Sequence, residues 1–206
     1  MRTALFIALA WVCSSFAVAG GDAAAGQAKS QTCVACHGAD GHAVAANYPN
    51  LAGQNERYLL RQLKMIKSKV RDAPLMAGQL DAMTETDLAN LAAYFASKTA
   101  QVAKAPDQPN DLQLGEHLYR GGSLTKQVSA CTACHSPMGN GNAPAGFPLL
   151  RGQSTEYVIA QLTAYREGKR KTDEEYGGMM RMIAGRLTDN EIRALASYVQ
   201  GLTTGL

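Results

Sequence analysis

The chain has 206 residues, of which 46% are hydrophobic and 18% are charged, and its formal net charge is +3. Such a length allows one or two domains, and such a composition is that of a folded globular protein. It excludes both an intrinsically disordered chain and a chain that lies in a membrane along its whole length.

The first 19 residues have the pattern of a secretory signal peptide. Met1 and Arg2 give a short positive start, residues 4–18 are apolar or small, and residues 17–19 fit the small-x-small pattern that precedes cleavage. The alternative, an uncleaved membrane anchor, is disfavoured because the apolar run is shorter than the roughly 20 residues that cross a bilayer. We therefore expect an exported protein from which residues 1–19 are removed.

Four of the five cysteines lie in two copies of the pattern Cys-x-x-Cys-His, at residues 33–37 and 131–135, and Cys13 lies in the predicted signal peptide. In an exported protein such cysteines also suggest disulfides, a zinc site or a redox dithiol. The histidine after each second cysteine favours haem, because two thiols add across the vinyl groups of one haem and the adjacent histidine then lies under the iron. We predict two covalently bound haem c groups. The predicted attachment residues are Cys33, Cys36, Cys131 and Cys134, and the predicted proximal ligands are His37 and His135.

Helical patterns account for the rest of each half, and strands have no clear support. A short helix is expected at residues 23–30, before the first motif, and another at residues 111–120, before the second. After each motif, apolar residues recur at helix spacing over residues 58–66 and 157–165. These patterns predict an all-α fold.

Each half is expected to end in a helix with a recognisable start. Thr84 precedes Asp87 by three residues, and Thr188 precedes Glu191 by three residues. This is the spacing of a capping box, in which the hydroxyl accepts from the third helical N–H and the carboxylate reaches back.

The two halves repeat more than the haem motif. Residues 49–63 match residues 148–162 at an offset of 99, and residues 84–94 match residues 188–198 at an offset of 104. The order and spacing are kept, which indicates an internal duplication. Between the copies, a segment with two prolines lacks a helical apolar period. The predicted units are an N-terminal domain at residues 20–97, a linker at 98–111 and a C-terminal domain at 112–206.

Methionine is the expected second axial ligand of each iron, because a His/Met pair raises the potential and closes the iron to small ligands. The repeat selects Met76 and Met180, each of which lies eight residues before the threonine that begins the last helix. No other pair of methionines holds equivalent places. Met179 and Met182 remain alternatives to Met180.

Two pairs of residues have both a functional and an ordinary interpretation. Pro49 and Pro148 follow the haem histidines by 12 and 13 residues. A carbonyl at such a place could accept the imidazole N–H and so influence the iron, or the loop could merely turn. His42 and His117 could in principle be axial ligands of a bis-His site, but we expect them to be ordinary polar surface residues.

The charge pattern does not predict nucleic-acid binding. Without the signal peptide the formal charge is +2, and the propionates of two haems would bring it to about −2. The basic residues Arg166, Lys169, Arg170 and Lys171 are followed at once by acidic residues. We therefore expect a solvated face of mixed charge there.

On these motifs the chain resembles the diheme cytochrome c4 family over essentially its entire predicted mature length. The resemblance rests on the duplicated haem motifs, the paired Pro-x-Leu-x-Gly-Gln and Tyr-x-x-x-Gln-Leu segments, and a methionine before each terminal helix. It implies two tandem class I cytochrome c domains with a pseudo-two-fold relation and with the haems near their interface. It also implies a bacterial periplasmic carrier between donors such as a bc1-type complex and terminal oxidases, loosely associated with the inner membrane.

Two other functions compete with an electron carrier that has no catalytic site of its own. An enzyme, such as a diheme peroxidase or a sulfur-compound dehydrogenase, would need an open iron or a spare cysteine. The matched methionines and the fully used cysteines argue against both. A haem-bearing subunit of a larger oxidoreductase complex, such as a flavocytochrome, is harder to exclude, because such subunits can share the same duplicated domains.

Overall fold

The computed structural model describes residues 20–202, so the predicted signal peptide lies outside the described residues. Within this range the protein is helical, with two isolated β-bridges at Ser123–Val128 and Asn142–Phe147. None of the helices in this range is long and apolar enough to cross a membrane. The all-α prediction is therefore confirmed.

Four α-helices form the N-terminal half of the described chain. They are α1 (Ala23–Lys29), α2 (Val34–His37), α3 (Glu56–Lys67) and α4 (Glu85–Ala96). The carboxylate of Asp22 begins α1 by accepting from the N–H groups of Ala24 and Ala25. A short 3-10 helix, Pro74–Met76, lies between α3 and α4.

Five α-helices form the C-terminal half. They are α5 (Pro109–Gly121), α6 (Thr132–His135), α7 (Thr155–Arg166), α8 (Met179–Ala184) and α9 (Asp189–Gly201). α5 begins two residues before its predicted start and overlaps the end of the predicted linker at residues 98–111. The reason is Pro109, whose fixed φ and missing N–H suit the first position of a helix as well as they suit a linker.

Each half packs two helices against its last helix. In the N-terminal half α1 and α3 pack on α4, and in the C-terminal half α5 and α7 pack on α9. The buried core of the first half consists of Leu59, Leu91, Ala92, Tyr94 and Phe95. That of the second half consists of Leu118, Tyr119, Val128, Leu187, Ile192, Leu195, Val199 and Leu202.

A glycine lets the first helix of each half lie directly on the last one. A Cβ atom on Gly26 would lie 2.0 Å from the carbonyl oxygen of Asn90, and a Cβ on Gly115 would lie 2.2 Å from that of Ala194. Both distances are far inside van der Waals contact. A side chain at either position would therefore push the helices apart.

Both predicted capping boxes are present. The hydroxyl of Thr84 accepts from the N–H of Asp87 at 3.1 Å, and the Asp87 carboxylate accepts from the N–H of Thr84 at 2.9 Å. Thr188 and Glu191 make the same pair of bonds at 3.3 and 2.8 Å. These bonds fix the starts of α4 and α9, which directly follow the segments that carry the candidate methionines.

Candidate haem sites

The two Cys-x-x-Cys-His motifs form equivalent short helices, α2 and α6, and His37 and His135 are their last residues. Directly after each histidine the backbone adopts a positive φ, 72° at Gly38 and 67° at Ser136. A Cβ atom on Gly38 would lie 2.2 Å from the carbonyl oxygen of His42. Glycine is therefore needed at this turn, whereas the C-terminal half accommodates a serine.

Both histidine rings are held by a proline carbonyl. Nδ1 of His37 lies 3.0 Å from the oxygen of Pro49, and Nδ1 of His135 lies 3.0 Å from the oxygen of Pro148. A carbonyl can only accept, so Nδ1 carries the proton and donates it, and Nε2 keeps its lone pair. Burial lowers the pKa of both histidines against the opposing effect of this hydrogen bond, which favours the neutral ring that a metal requires.

Within residues 20–202, the four motif cysteines form no disulfide with one another. Burial raises the pKa of Cys131 to about 11, and it also raises the pKa of Cys33. Such thiols do not have the lowered pKa of a catalytic redox dithiol. Among residues 20–202, no group of three or more His, Cys, Asp and Glu side chains is arranged to hold a metal ion. The two motifs therefore do not combine into one zinc site in the described chain.

The candidate methionines hold equivalent places before the last helix but differ in local structure. Met76 ends the 3-10 helix, whereas Met180 lies in the first turn of α8. Both side chains are half-buried, as is Met179, whereas Met182 is 57% exposed. The assignment of Met76 and Met180 stays a prediction, with Met179 as the better buried of the two alternatives.

A set of six polar residues joins the two halves, and we call it the interface network. Its members are Tyr58, Gln62 and Arg71 of the N-terminal half and their repeat equivalents Tyr157, Gln161 and Arg170. The guanidinium of Arg170 donates to the hydroxyl of Tyr58 at 2.9 Å and to Oε1 of Gln62 at 3.1 Å. In the reciprocal contacts, Arg71 donates to Tyr157 at 2.9 Å and to Gln161 at 3.2 Å. The Tyr-x-x-x-Gln repeat was the sequence signal for this network, although it does not reveal that the residues face each other.

Arg170 is not part of a solvated face, and the prediction for this residue is wrong. It is 6% exposed, whereas Lys169 and Lys171 beside it are exposed. Its partners Tyr58 and Gln62 come from the other half of the chain, 112 and 108 positions away. Local charge alternation cannot show a contact of that range.

The two sites fit a haem group. Each half offers two thiols and an imidazole Nε2 with a free lone pair. Two buried donor atoms at the contact between the halves, Nε of Arg61 and Nε2 of Gln62, have no acceptor in the described part of the chain. Arg71 and Arg170 form no ion pair with any carboxylate of residues 20–202. Unpaired buried donors and cations are costly, and the propionates of a haem are anionic acceptors of the kind that would satisfy them.

Comparison with known proteins shows the same duplication. The cytochrome c family model matches residues 23–99 and again residues 119–203. Cytochrome c4 of Pseudomonas aeruginosa is 50% identical over 189 residues, which cover 92% of each chain. The crystal structure of reduced recombinant cytochrome c4 from Pseudomonas stutzeri has a TM-score of 0.86 at 46% identity, over 89% of this chain and 100% of that one. A thiosulfate dehydrogenase electron acceptor of Thiomonas intermedia is 35% identical over 85% of this chain and 81% of its own.

Proposed function

The chain belongs to the diheme cytochrome c4 family, and we propose that it is a periplasmic carrier between a donor such as a bc1-type complex and terminal oxidases. It is an electron-transfer cytochrome with two covalently bound haem c groups. The observation that supports the proposed role most directly is the duplicated proximal arrangement, in which a proline carbonyl holds each motif histidine. We propose no catalytic site beside the two haems.

We assign Cys33 and Cys36 to one haem and Cys131 and Cys134 to the other. When bound, each haem supplies a one-electron iron couple. His37 and His135 offer a neutral Nε2 to the iron, because their Nδ1 protons are engaged by the proline carbonyls. The same bonds orient the rings, so the proximal side need not rearrange when an electron arrives or leaves.

Met76 and Met180 are the proposed second axial ligands. Their thioethers would make both irons six-coordinate and would favour a high potential. A six-coordinate iron has no open position for a substrate. This is the reason for proposing a carrier rather than a peroxidase or a dehydrogenase.

The interface network and the neighbouring Arg61 supply the proposed partners of the haem propionates. Gln62 and Arg61 have unused buried donors, and Arg71 and Arg170 are cations without a carboxylate partner among residues 20–202. Tyr58 and Tyr157 hold the two arginines in place by hydrogen bonds. Cations that are already fixed need not move when the charge of an iron changes.

The experiment that tests this function is a redox titration of the purified holoprotein, followed by optical and electron-paramagnetic-resonance spectra. Two low-spin haems that both titrate at high potential are expected. Carbon monoxide added to the reduced protein is expected to leave both spectra unchanged, because neither iron has a free position. A high-spin haem, or one that binds carbon monoxide, would contradict the carrier and reopen the enzyme hypothesis.

A second candidate is the haem-bearing subunit of a larger oxidoreductase complex, of which a flavocytochrome is one form. The similarity to a protein named as the electron acceptor of thiosulfate dehydrogenase favours a sulfur-compound dehydrogenase as the partner. Gentle purification from the native cell, followed by native mass measurement, separates the two candidates. A free monomer supports the diffusing carrier, whereas a stoichiometric flavoprotein or dehydrogenase partner supports the subunit.

Export is also part of the proposal. Removal of residues 1–19 would leave a chain that begins at Gly20. N-terminal sequencing and intact-mass measurement of the periplasmic fraction are expected to show this chain with the added mass of two haems. Recovery of the intact N-terminus in the membrane fraction would contradict cleavage.

A further inference from the structure

One peptide group joins the histidine of the N-terminal half to a side chain of the C-terminal half. The carbonyl of Pro49 accepts the hydrogen bond of His37, and the N–H of the same peptide group belongs to Asn50. This N–H donates to Oε1 of Gln153 at 3.0 Å. The peptide group is therefore bound at both ends, once by its own half and once by the other half.

The C-terminal half has the same arrangement with the partners exchanged. The carbonyl of Pro148 accepts from His135, and the N–H of the following residue, Leu149, donates to Oε1 of Gln54 at 2.8 Å. Gln54 and Gln153 occupy equivalent positions of the repeat, 99 residues apart. Both histidines are thus connected to a glutamine across the interface.

Each glutamine is fixed by a second hydrogen bond. Nε2 of Gln153 donates to the carbonyl of Asn50 at 2.6 Å, and Nε2 of Gln54 donates to the carbonyl of Leu149 at 2.8 Å. Because a backbone N–H only donates and a carbonyl only accepts, these contacts leave one orientation for each amide. Gln54 is 4% exposed and Gln153 is 5% exposed, so water does not compete for these bonds.

The two hydrogen bonds on one peptide group strengthen each other. An N–H that is already hydrogen-bonded leaves more negative charge on the carbonyl oxygen of the same group. With Gln153 in place, Pro49 is therefore a stronger acceptor for the Nδ1 proton of His37. A stronger bond at Nδ1 increases the electron density at Nε2, which stabilises the oxidised iron and lowers its potential.

We propose that Gln153 lowers the potential of the haem held by His37, and that Gln54 lowers the potential of the haem held by His135. Each half of the protein then sets the potential of the haem in the other half. Both glutamines are positioning residues, since they act through a proline peptide group and touch neither iron. The inference rests on the proposed function, because it requires the two histidines to be the proximal ligands.

The test replaces each glutamine with methionine, which keeps the length of the side chain but removes its hydrogen bonds to the other half; Gln54→Met also removes the bond that Oε1 of Gln54 accepts from the N–H of Asn55. The potential of each haem is measured by spectroelectrochemical titration of the holoprotein, with the haems assigned to their halves by NMR. Gln153→Met is expected to raise the potential of the haem at His37, and Gln54→Met that of the haem at His135. In each variant the other haem keeps its potential, and the Nδ1 proton resonance of the affected histidine moves upfield.

Arg57→Ala is the matched control. Arg57 also bridges the halves, through the carbonyl of Pro144 at 2.6 Å, but it touches neither histidine-bound peptide group. This variant is expected to leave both potentials unchanged. Equal shifts of both haems, a shift confined to the haem in the glutamine's own half, or no shift at all would overturn the proposal.

Two further outcomes are distinguishable. Gln54→Met and Gln153→Met are independent tests, so either one decides the question if the other is not recovered as a holoprotein. If the unaltered protein itself lacks two low-spin haems, the proposed function fails. If it has them but the crossed pattern of shifts is missing, only the glutamine proposal fails.

Discussion

The two halves hold their histidines in the same way but cover them differently. In the N-terminal half the ring of Tyr48 packs edge-on against His37, with ring centroids 6.1 Å apart. In the C-terminal half the equivalent Phe147 packs against His135 at 6.3 Å, and the ring of Tyr176 covers Phe147 at 5.3 Å. The duplication has therefore kept the ligand geometry, while the second layer of packing differs.

The additional cover arises from an insertion. The distance along the chain from Arg71 to Met76 is five residues, whereas that from Arg170 to Met180 is ten. The longer segment contains Tyr176, whose hydroxyl donates to the carbonyl of Ala145 at 2.8 Å. An insertion can therefore change the surroundings of one haem without altering its proposed ligands. A ring that keeps water away from the iron disfavours the more positive oxidised form, so from the additional cover by Tyr176 we expect the C-terminal haem to have the higher potential.

Removal of one methionine at a time gives the largest expected effect. Met76→Ala and Met180→Ala should each open the iron of their own half, so that this haem binds carbon monoxide and the other does not. The potential of the opened haem should fall by a sizeable part of the roughly 0.8 V range that axial ligands span. The measurement is the redox titration with carbon monoxide described above. Met182→Ala is the control, and carbon monoxide binding in that variant instead would reassign the ligand.

Alanine substitutions at Gly26 and Gly115 compare how closely the first and last helices pack in the two halves. Gly26→Ala and Gly115→Ala should each lower the free energy of unfolding by about 1–3 kcal/mol, because the new methyl group meets a backbone carbonyl of the last helix. Denaturant unfolding of the holoprotein measures the loss. Gly121→Ala is the control within α5, since no atom lies within 4 Å of its Cβ, and it should be neutral or stabilising by about 0.5–1 kcal/mol. If Gly26→Ala changed the free energy of unfolding no more than Gly121→Ala does, the close approach of α1 and α4 would be contradicted.

Tyr176→Ala should reduce the difference in potential between the two haems. Loss of the ring admits water to Phe147, so the potential of the C-terminal haem should fall toward that of the N-terminal haem, which should not change. The lost aromatic pair should also cost about 0.5–1.5 kcal/mol of stability. Tyr176→Phe keeps the ring and should keep the potential. If both substitutions leave the two potentials as they are, the insertion does not control the haem.

The smallest expected effect is on the pH dependence of stability, through the carboxylates of the two capping boxes. The backbone N–H and the hydroxyl of Thr84, followed by Lys29, lower the pKa of Asp87 to about 2. Since the unfolded value is about 3.9, the carboxylate stabilises the fold above that pH, and the stabilisation is lost as the pH falls through about 2. Asp87→Asn should therefore lower the stability at pH 7 and have little effect near pH 2. Thermal unfolding of both proteins across this pH range measures the loss of stability. A loss that is the same at pH 7 and pH 2 would contradict the prediction.

Glu191 is the matching residue in the second capping box. Burial opposes ionisation there, but Lys126 and Thr188 outweigh it and lower the pKa of Glu191. Glu191→Gln should thus respond to acid in the same direction as Asp87→Asn.

The sequence was sufficient for features that depend on neighbours along the chain. The capping threonines Thr84 and Thr188 carry their partners three residues away, and the haem motifs are complete within five residues. The proline carbonyls could be proposed because they follow each histidine at a nearly constant spacing. For such features local geometry leaves few alternatives.

The contacts between the halves could not be predicted in this way. Gln54 and Gln153 stand in matched Gly-Gln pairs, which shows that they are equivalent but not that each binds the loop of the other half. Arg170 lies among other charged residues, and only the folded structure brings Tyr58 and Gln62 to it. A repeat predicts which residues correspond, whereas the pairing across an interface depends on how the two copies dock.

The reciprocal glutamine contacts have the pattern of an isologous homodimer, in which each residue contact occurs twice by symmetry. In two identical chains, any substitution in such a contact changes both copies together. Here one gene encodes both copies within a single chain, so each contact can mutate separately. Asn50 and Leu149, which stand at equivalent places, have already diverged. Selection can therefore change the potential of one haem while the potential of the other stays the same.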